Sequence, residues 1–173
     1  MGMAVRVQIE QHVEVHKFGW WAPPIVAFFA IVLQATLPLY FAQAHLLELP
    51  LLVTLYFGLS RRNPATGLMM GMTIGLIQDG ISRIPFGLYG IAKTLVGFGA
   101  SSIGSRLDVE HPISRALLVA LFFHGHHAVY AGIKRTLLNE PESFFTVQTL
   151  LASVVNAVLA LALFPLLDRL RKN

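Results

Sequence analysis

Long apolar stretches separated by short charged segments make up most of the chain. The charged segments fall near residues 61–62, 106–115, 134–142 and 168–172, and the apolar runs between them are roughly 15 to 22 residues long. This pattern predicts six membrane-spanning helices at about residues 21–42, 46–59, 65–81, 86–104, 113–133 and 144–167. The second is short for a bilayer unless it is tilted or partly buried in protein. We predict an all-α, polytopic membrane protein that forms a single membrane domain, residues 1–173.

The first residues have a different period. Between residues 1 and 17, apolar residues such as Val5, Val7 and Ile9 alternate with polar ones, and a period of two is typical of a strand. One hypothesis is that this segment adds as a strand to a cytosolic partner. The alternatives are a tail without fixed structure and a short amphipathic helix. We assign residues 1–19 to a cytoplasmic N-terminal tail.

Composition agrees with a membrane protein. Hydrophobic residues make up 55% of the 173 residues and charged residues 13%, against about 25% charged in typical soluble domains. There is no cysteine, which excludes disulfides and thiolate metal sites. The net charge of +4 is spread over loops rather than one basic face, so we expect no nucleic-acid partner.

The distribution of Lys and Arg predicts the orientation. With six spans, nine of the 13 Lys and Arg residues fall on the side of the termini, three fall on the opposite side and Lys93 lies within a span. Because cytoplasmic loops carry the excess of basic residues, we expect both termini in the cytoplasm.

The third and fourth spans carry small residues at helical spacing. Gly67, Gly71 and Gly75 form a stripe that continues to Asp79, and spacings of three and four place residues on one helix face. The fourth span carries Gly90 and Gly97 with Lys93 between them. Pro85 and Gly87 form the turn that connects the two spans. Glycine stripes let two helix backbones approach closely, so we predict that the five stripe glycines pack these two helices together.

An acid within a membrane span requires a partner. We predict that Asp79 pairs with Lys93, about one helical turn away along the axis, with Arg83 as the competing partner. The pair either pins two helices in register, belongs to a proton relay or substrate site, or lies in a surface for a partner.

Three histidines cluster in the fifth span. His124 and His127 share a helix face, and His126 points elsewhere. Two imidazoles could begin a metal site, but a transition metal needs further ligands that no span clearly supplies. We therefore expect packing or cavity-lining histidines, with no metal and no cofactor. No set of nucleophile, base and orienting residue is visible, so we do not expect an enzyme.

Three motifs resemble the bacterial MreD family of rod shape-determining proteins. They are Glu48 to Phe57 (ELPLLVTLYF), Gly71 to Asp79 ending in Gln78-Asp79, and the turn segment Pro85 to Gly90 (PFGLYG). The resemblance implies a non-enzymatic, multi-pass protein of the bacterial inner membrane that serves as a scaffold of the cell-elongation machinery. It implies binding to the bitopic protein MreC and, through MreC, links to MreB filaments, RodA and a class B penicillin-binding protein that makes peptidoglycan.

The same resemblance implies a fold similar to that of the substrate-binding component of energy-coupling-factor vitamin transporters. Service as such a component is the main alternative function. That component usually carries Ala-x-x-x-Ala in its first span, whereas Ala27, Ala30 and Ala35 do not have this spacing. A third hypothesis, an embedded metal-dependent or proton-coupled enzyme, predicts tightly bound metal. The sequence leaves open which span contacts MreC, whether a homodimer forms, whether a small molecule binds, and what the three histidines do.

Overall fold

The computed structural model describes residues 18–82, 84–106 and 111–171, and within them the chain forms six α-helices joined by short connections. They are α1 (Ala22–Tyr40), α2 (Leu49–Arg61), α3 (Pro64–Ile81), α4 (Leu88–Gly104), α5 (Pro112–Leu137) and α6 (Val147–Asp168), with a 3₁₀ turn at Ala42–Leu46 between α1 and α2. The predictions for residues 1–17 and for Arg83 lie outside the described residues. Phe18 forms an antiparallel bridge with Arg171.

The second helix is the centre of the bundle. Every residue from Pro50 to Ser60 is buried, and the Tyr56 ring contacts Phe57 and Phe164 at centroid distances of 5.1 and 5.3 Å. Its 13 residues correspond to about 20 Å, which is shorter than a bilayer core. The other helices surround α2, so it is buried in protein and does not contact lipid along its length. It begins later than predicted because the preceding residues turn as a 3₁₀ helix before Pro50.

Close backbone contact joins α3 and α4. A Cβ atom added at Gly71 would clash with the carbonyl oxygen of Lys93, and one added at Gly75 would clash with that of Tyr89. Gly67 and Gly97 face each other, and a Cβ on either one would clash with the backbone of the other. Gly90 is less tight, since its added Cβ would lie 2.7 Å from Cδ2 of Leu76. The two helices can approach this closely only because side chains are missing along the contact.

Three helices on the perimeter have membrane-spanning character. Among the described residues, α1, α5 and α6 are long and apolar enough to cross a membrane, with 19, 26 and 22 residues. Their outward faces expose large apolar side chains, for example Phe28, Leu117 and Val158 at 63%, 67% and 61%. Exposed apolar faces of this extent fit contact with lipid. The chain is therefore a helical membrane protein.

The α3–α4 turn marks one end of the bundle, which we call the hairpin end. The α1–α2 connection lies there, since Glu48 reaches Lys93 in the second turn of α4. The α5–α6 connection is also at this end, because its residues Glu142 and Ser143 line the same cavity as Leu46 and Glu48 of the α1–α2 connection. Most of the polar side chains that the sequence singles out therefore lie near the hairpin end.

Candidate functional site

Asp79 caps the beginning of α4. Its carboxylate accepts hydrogen bonds from the backbone N–H groups of Gly87, Tyr89 and Gly90 at 3.0, 3.0 and 2.9 Å, and the residue is 2% exposed. The first N–H groups of a helix have no partner within the helix, and an anion suits the positive end of its dipole. An N-cap side chain normally supplies the acceptor. Here the N-cap is Gly87, so a carboxylate from the preceding helix takes this role.

The turn geometry explains why Gly87 occupies this position. Its φ angle is 103°, in the left-handed region that side-chain-bearing residues avoid. The chain can therefore reverse between Pro85 and α4 and bring the amides of the first helical turn onto Asp79. The Pro-x-Gly segment and the acid act as one structural unit.

The predicted ion pair between Asp79 and Lys93 does not form in the structure, which is a correction to the sequence-based prediction. The acceptor positions of Asp79 are taken by backbone amides of α4. The backbone of Lys93 packs against Gly71 of α3, but its side chain reaches Glu48 at the start of α2 and His126 on α5. The backbone of Lys93 therefore lies on the face of α4 that meets α3, whereas its long side chain leaves that face.

Lys93 is the centre of a buried polar cluster, which we call the Lys93 cluster. Its Nζ lies 3.4 Å from Oε2 of Glu48 and 3.2 Å from Nε2 of His126, and 4.4 Å from the centroid of the Tyr89 ring. The Tyr89 ring stacks on His126 and on Tyr130 at 5.8 and 5.2 Å. Lys93 is 0% exposed and Glu48 is 18% exposed. A buried ammonium requires such a carboxylate, and an aromatic face adds further attraction.

Two amide side chains fix the connection that carries Glu48. Asn156 accepts from the backbone N–H of Glu48 at 2.9 Å and donates to the carbonyl of Leu46 at 2.7 Å. Gln34 donates to the carbonyl of Leu47 at 2.8 Å and accepts from the N–H of Leu49 at 2.9 Å. Buried backbone groups outside a helix need such partners. Glu48 is thus held in place from both sides by α1 and α6.

A cavity of about 400 Å³ opens beside this connection. Its lining includes Glu48, His127 and Glu142. Much of its polar lining is already paired: His127 donates to the carbonyl of Ser143 at 3.2 Å, and Glu142 binds Lys134 at 2.7 Å. Glu48 therefore lies between the buried ammonium of Lys93 and a space that water can enter.

The three histidines have three different environments. His126 is 4% exposed and belongs to the Lys93 cluster, and His127 lines the cavity. The ring of His124 contacts those of Phe123 and Phe145 at 5.8 and 5.5 Å. In the part of the chain that the structure describes, no group of three His, Asp, Glu or Cys side chains is placed to hold a metal ion.

A second polar cluster lies at the opposite end of the bundle. Asp168 accepts from the hydroxyl of Tyr56 at 2.9 Å and pairs with Arg115 at 2.8 Å and with Arg171 at 2.6 Å. These contacts join α2, α5 and the end of α6. Asp168 and Tyr56 were not predicted as site residues, because the sequence gives no indication that residues 112 positions apart meet.

The partners of the predicted residues were also missed. Glu48 appeared in the sequence only as part of a motif, and Asn156 was not singled out. A signal was nevertheless present, since Asn156 is the one amide in the apolar run from Leu150 to Leu167, and such residues usually face the interior of a bundle.

Comparison with known proteins identifies the family. The chain matches the family model described as rod shape-determining protein MreD over residues 16–172. No curated protein and no solved structure matches the chain. The matched range includes the whole α3–α4 hairpin, the Asp79 cap and the Lys93 cluster. The chain therefore belongs to the MreD family of rod shape-determining proteins.

Proposed function

We propose that this protein is a non-enzymatic scaffold of the bacterial cell-elongation complex in the inner membrane. It crosses the membrane six times with both termini in the cytoplasm and binds MreC. Through MreC it helps to couple MreB filaments to peptidoglycan synthesis by RodA and a class B penicillin-binding protein. Family membership over residues 16–172 is the observation that carries this proposal.

The internal polar contacts support a structural role. Asp79 accepts hydrogen bonds from helix amides, and Lys93 contacts Glu48 and His126. Asp168 contacts Tyr56 and two arginines. Each set of contacts joins different helices, so these groups fix the relative positions of the helices. A rigid bundle with a large apolar perimeter can present constant surfaces to partner helices.

The cavity beside Glu48 favours one second candidate, the substrate-binding component of a vitamin transporter. Its volume of about 400 Å³ falls within the range of small-molecule sites, about 300 to 1,000 Å³. The internal pairing of its polar lining weakens this candidate, because a ligand would have to displace existing hydrogen bonds.

Co-purification tests the proposal. MreC from the same genome is co-expressed with the full chain and extracted in detergent, with an unrelated bitopic membrane protein as the negative control. We expect MreC to be retained and the control to be lost. Loss of MreC while this protein remains folded, judged by its melting transition, would refute the proposal. Retention of a coupling ATPase instead would favour the transporter.

A further inference from the structure

The two ends of the bundle differ in charge. At the hairpin end, the described residues carry four Asp and Glu side chains and three Lys and Arg side chains. At the opposite end, which we call the arginine end, Asp168 is the one acid among the described residues. The bases there are Arg61, Arg62, Arg106, Arg115, Arg169 and Arg171. The described part of this end therefore carries an excess of five positive charges.

Asp168 compensates only part of this charge. Its carboxylate pairs with Arg115 at 2.8 Å and with Arg171 at 2.6 Å. Among the described residues, no carboxylate forms an ion pair with the other arginines of this end, which are Arg61, Arg62, Arg106 and Arg169. These guanidinium groups are therefore available to an anion from outside the chain.

Three of these arginines lie in one corner of the arginine end. The ends of α2 and α4 are in backbone contact there, because a Cβ atom added at Gly104 would clash with the carbonyl oxygen of Leu59. Arg61 and Arg62 follow within three residues of Leu59, and Arg106 comes two residues after Gly104. We call Arg61, Arg62 and Arg106 the basic corner.

Arg62 carries an uncompensated charge at the edge of the bundle. Its Nε atom is enclosed and has no hydrogen-bond partner among the described residues, whereas its Nη atoms are accessible. The positive charge is delocalised over the whole guanidinium group, so enclosure of Nε removes part of its hydration. An anion at the accessible Nη atoms offsets this loss, and a phosphate group suits the paired N–H donors of a guanidinium group.

Two tryptophans place the basic corner at the level of lipid headgroups. Trp20 and Trp21 precede α1 and are 85% and 43% exposed. Phe18, just before them, packs on the ring of Phe57 at a centroid distance of 5.2 Å, and Phe57 lies about one turn before Arg61 at the end of α2. Exposed tryptophans are typical of the membrane–water interface. Lipid phosphates therefore lie beside the basic corner.

We propose that the basic corner binds the headgroup of an anionic phospholipid, whose phosphate oxygens accept hydrogen bonds from Arg61, Arg62 and Arg106. A zwitterionic lipid carries an ammonium group beside its phosphate, so guanidinium groups without acidic partners select a lipid with a net negative charge. The bound lipid joins the ends of α2 and α4. Under the proposed six-span topology it belongs to the cytoplasmic leaflet. The inference concerns this chain alone and does not depend on MreC.

Native mass spectrometry of the full chain tests the lipid selectivity. The protein is purified in detergent and mixed with equal amounts of phosphatidylglycerol, which is anionic, and phosphatidylethanolamine, which is zwitterionic. We expect retained phosphatidylglycerol to exceed retained phosphatidylethanolamine by about 5-fold or more, because each basic residue near an anionic headgroup contributes about a 5-fold gain in binding. Equal retention of the two lipids overturns the inference.

Substitutions test the location. Arg62→Gln and Arg106→Gln should each lower the retention of phosphatidylglycerol by about 5-fold and leave that of phosphatidylethanolamine unchanged. Arg62→Lys keeps the charge without the paired donors and should retain more phosphatidylglycerol than Arg62→Gln. Arg135→Gln is the matched control, because it removes an exposed arginine at the hairpin end and should have no effect.

The variants also separate lipid binding from folding. Arg106 is exposed, so Arg106→Gln should keep the melting temperature of the unmodified protein and tests the site even where Arg62→Gln unfolds. Unchanged retention of phosphatidylglycerol by Arg106→Gln would place the lipid elsewhere and overturn the inference. An equal loss from Arg135→Gln would show that anionic lipid binds to arginines all over the surface and would also overturn it.

Discussion

The Lys93 cluster predicts an asymmetric response to removal of either charge. Glu48→Gln leaves the ammonium of Lys93, which is 0% exposed, without a carboxylate. Breaking a buried pair in this way costs about 3 to 5 kcal/mol in the free energy of unfolding. Lys93→Met instead leaves Glu48, which is 18% exposed and lines a cavity that water can enter. Water can solvate that carboxylate, so we expect a smaller loss of about 1 to 3 kcal/mol.

Double substitutions separate the partner seen in the structure from the partner predicted from sequence. The Glu48→Gln/Lys93→Met protein should be more stable than the sum of its single changes allows, by a coupling energy of about 1 to 3 kcal/mol. Asp79→Asn/Lys93→Met is the matched control. Its coupling energy should be smaller than that of Glu48 and Lys93, because Asp79 and Lys93 share no hydrogen bond and interact only through their charges and the neighbouring Tyr89.

Reversible unfolding in mixed detergent and dodecyl sulfate micelles measures these energies, with Trp20 and Trp21 as fluorescent reporters. Two results would refute the reasoning. One is a larger loss from Lys93→Met than from Glu48→Gln, which would mean that the ammonium does not depend on Glu48. The other is stronger coupling of Lys93 to Asp79 than to Glu48.

Three further substitutions test the hairpin and the connection by thermal melting in detergent. Gly71→Ala should destabilise the protein by about 1 to 3 kcal/mol because the added methyl group would clash with the α4 backbone. Gly80→Ala is the control and should be neutral or stabilising, because nothing lies within 4 Å of its added Cβ. Equal effects of the two substitutions would argue against close packing of α3 on α4. Gly87→Ala should cost about 1 to 2 kcal/mol because φ is 103°, and an unchanged melting temperature would contradict that turn geometry. Asn156→Leu should lower the free energy of unfolding by about 1 to 3 kcal/mol, because it leaves backbone groups of the α1–α2 connection unpaired. Val158→Leu, at an exposed position on the same helix, is the control and should change stability little. Similar losses of stability from both would indicate a general effect of α6 packing.

The sequence predicts the positions of the helices well because each one is an apolar run between charged or turn-forming residues. The predicted third span, 65–81, and fourth span, 86–104, differ from α3 and α4 by no more than two residues at any end. The second span is predicted to begin three residues too early, since hydropathy cannot show that an apolar segment before Glu48 turns as a 3₁₀ helix.

The site was harder to predict because helix periodicity gives the face on which a Cβ lies, whereas a long side chain can reach beyond that face. Lys93 lies between Gly90 and Gly97 on the stripe, yet its ammonium meets Glu48, which is 45 positions earlier in the chain. The Asp79 cap was accessible in principle. A glycine immediately before a helix supplies no capping side chain, so the amides of α4 required an acceptor from elsewhere, and Asp79 was the nearest acid.

The Asp79 cap also has a consequence for biogenesis. Until Asp79 is in place, the first amides of α4 have no acceptor, and hydrocarbon cannot supply one. Until those amides are in place, Asp79 is an unpaired carboxylate in a helix of modest hydropathy. Under the proposed six-span topology, neither helix is therefore suited to enter the bilayer before the other, and we expect the pair to leave the translocon together as a preformed hairpin. The insertion step of this protein is then a two-helix event, and its timing depends on synthesis reaching Gly90.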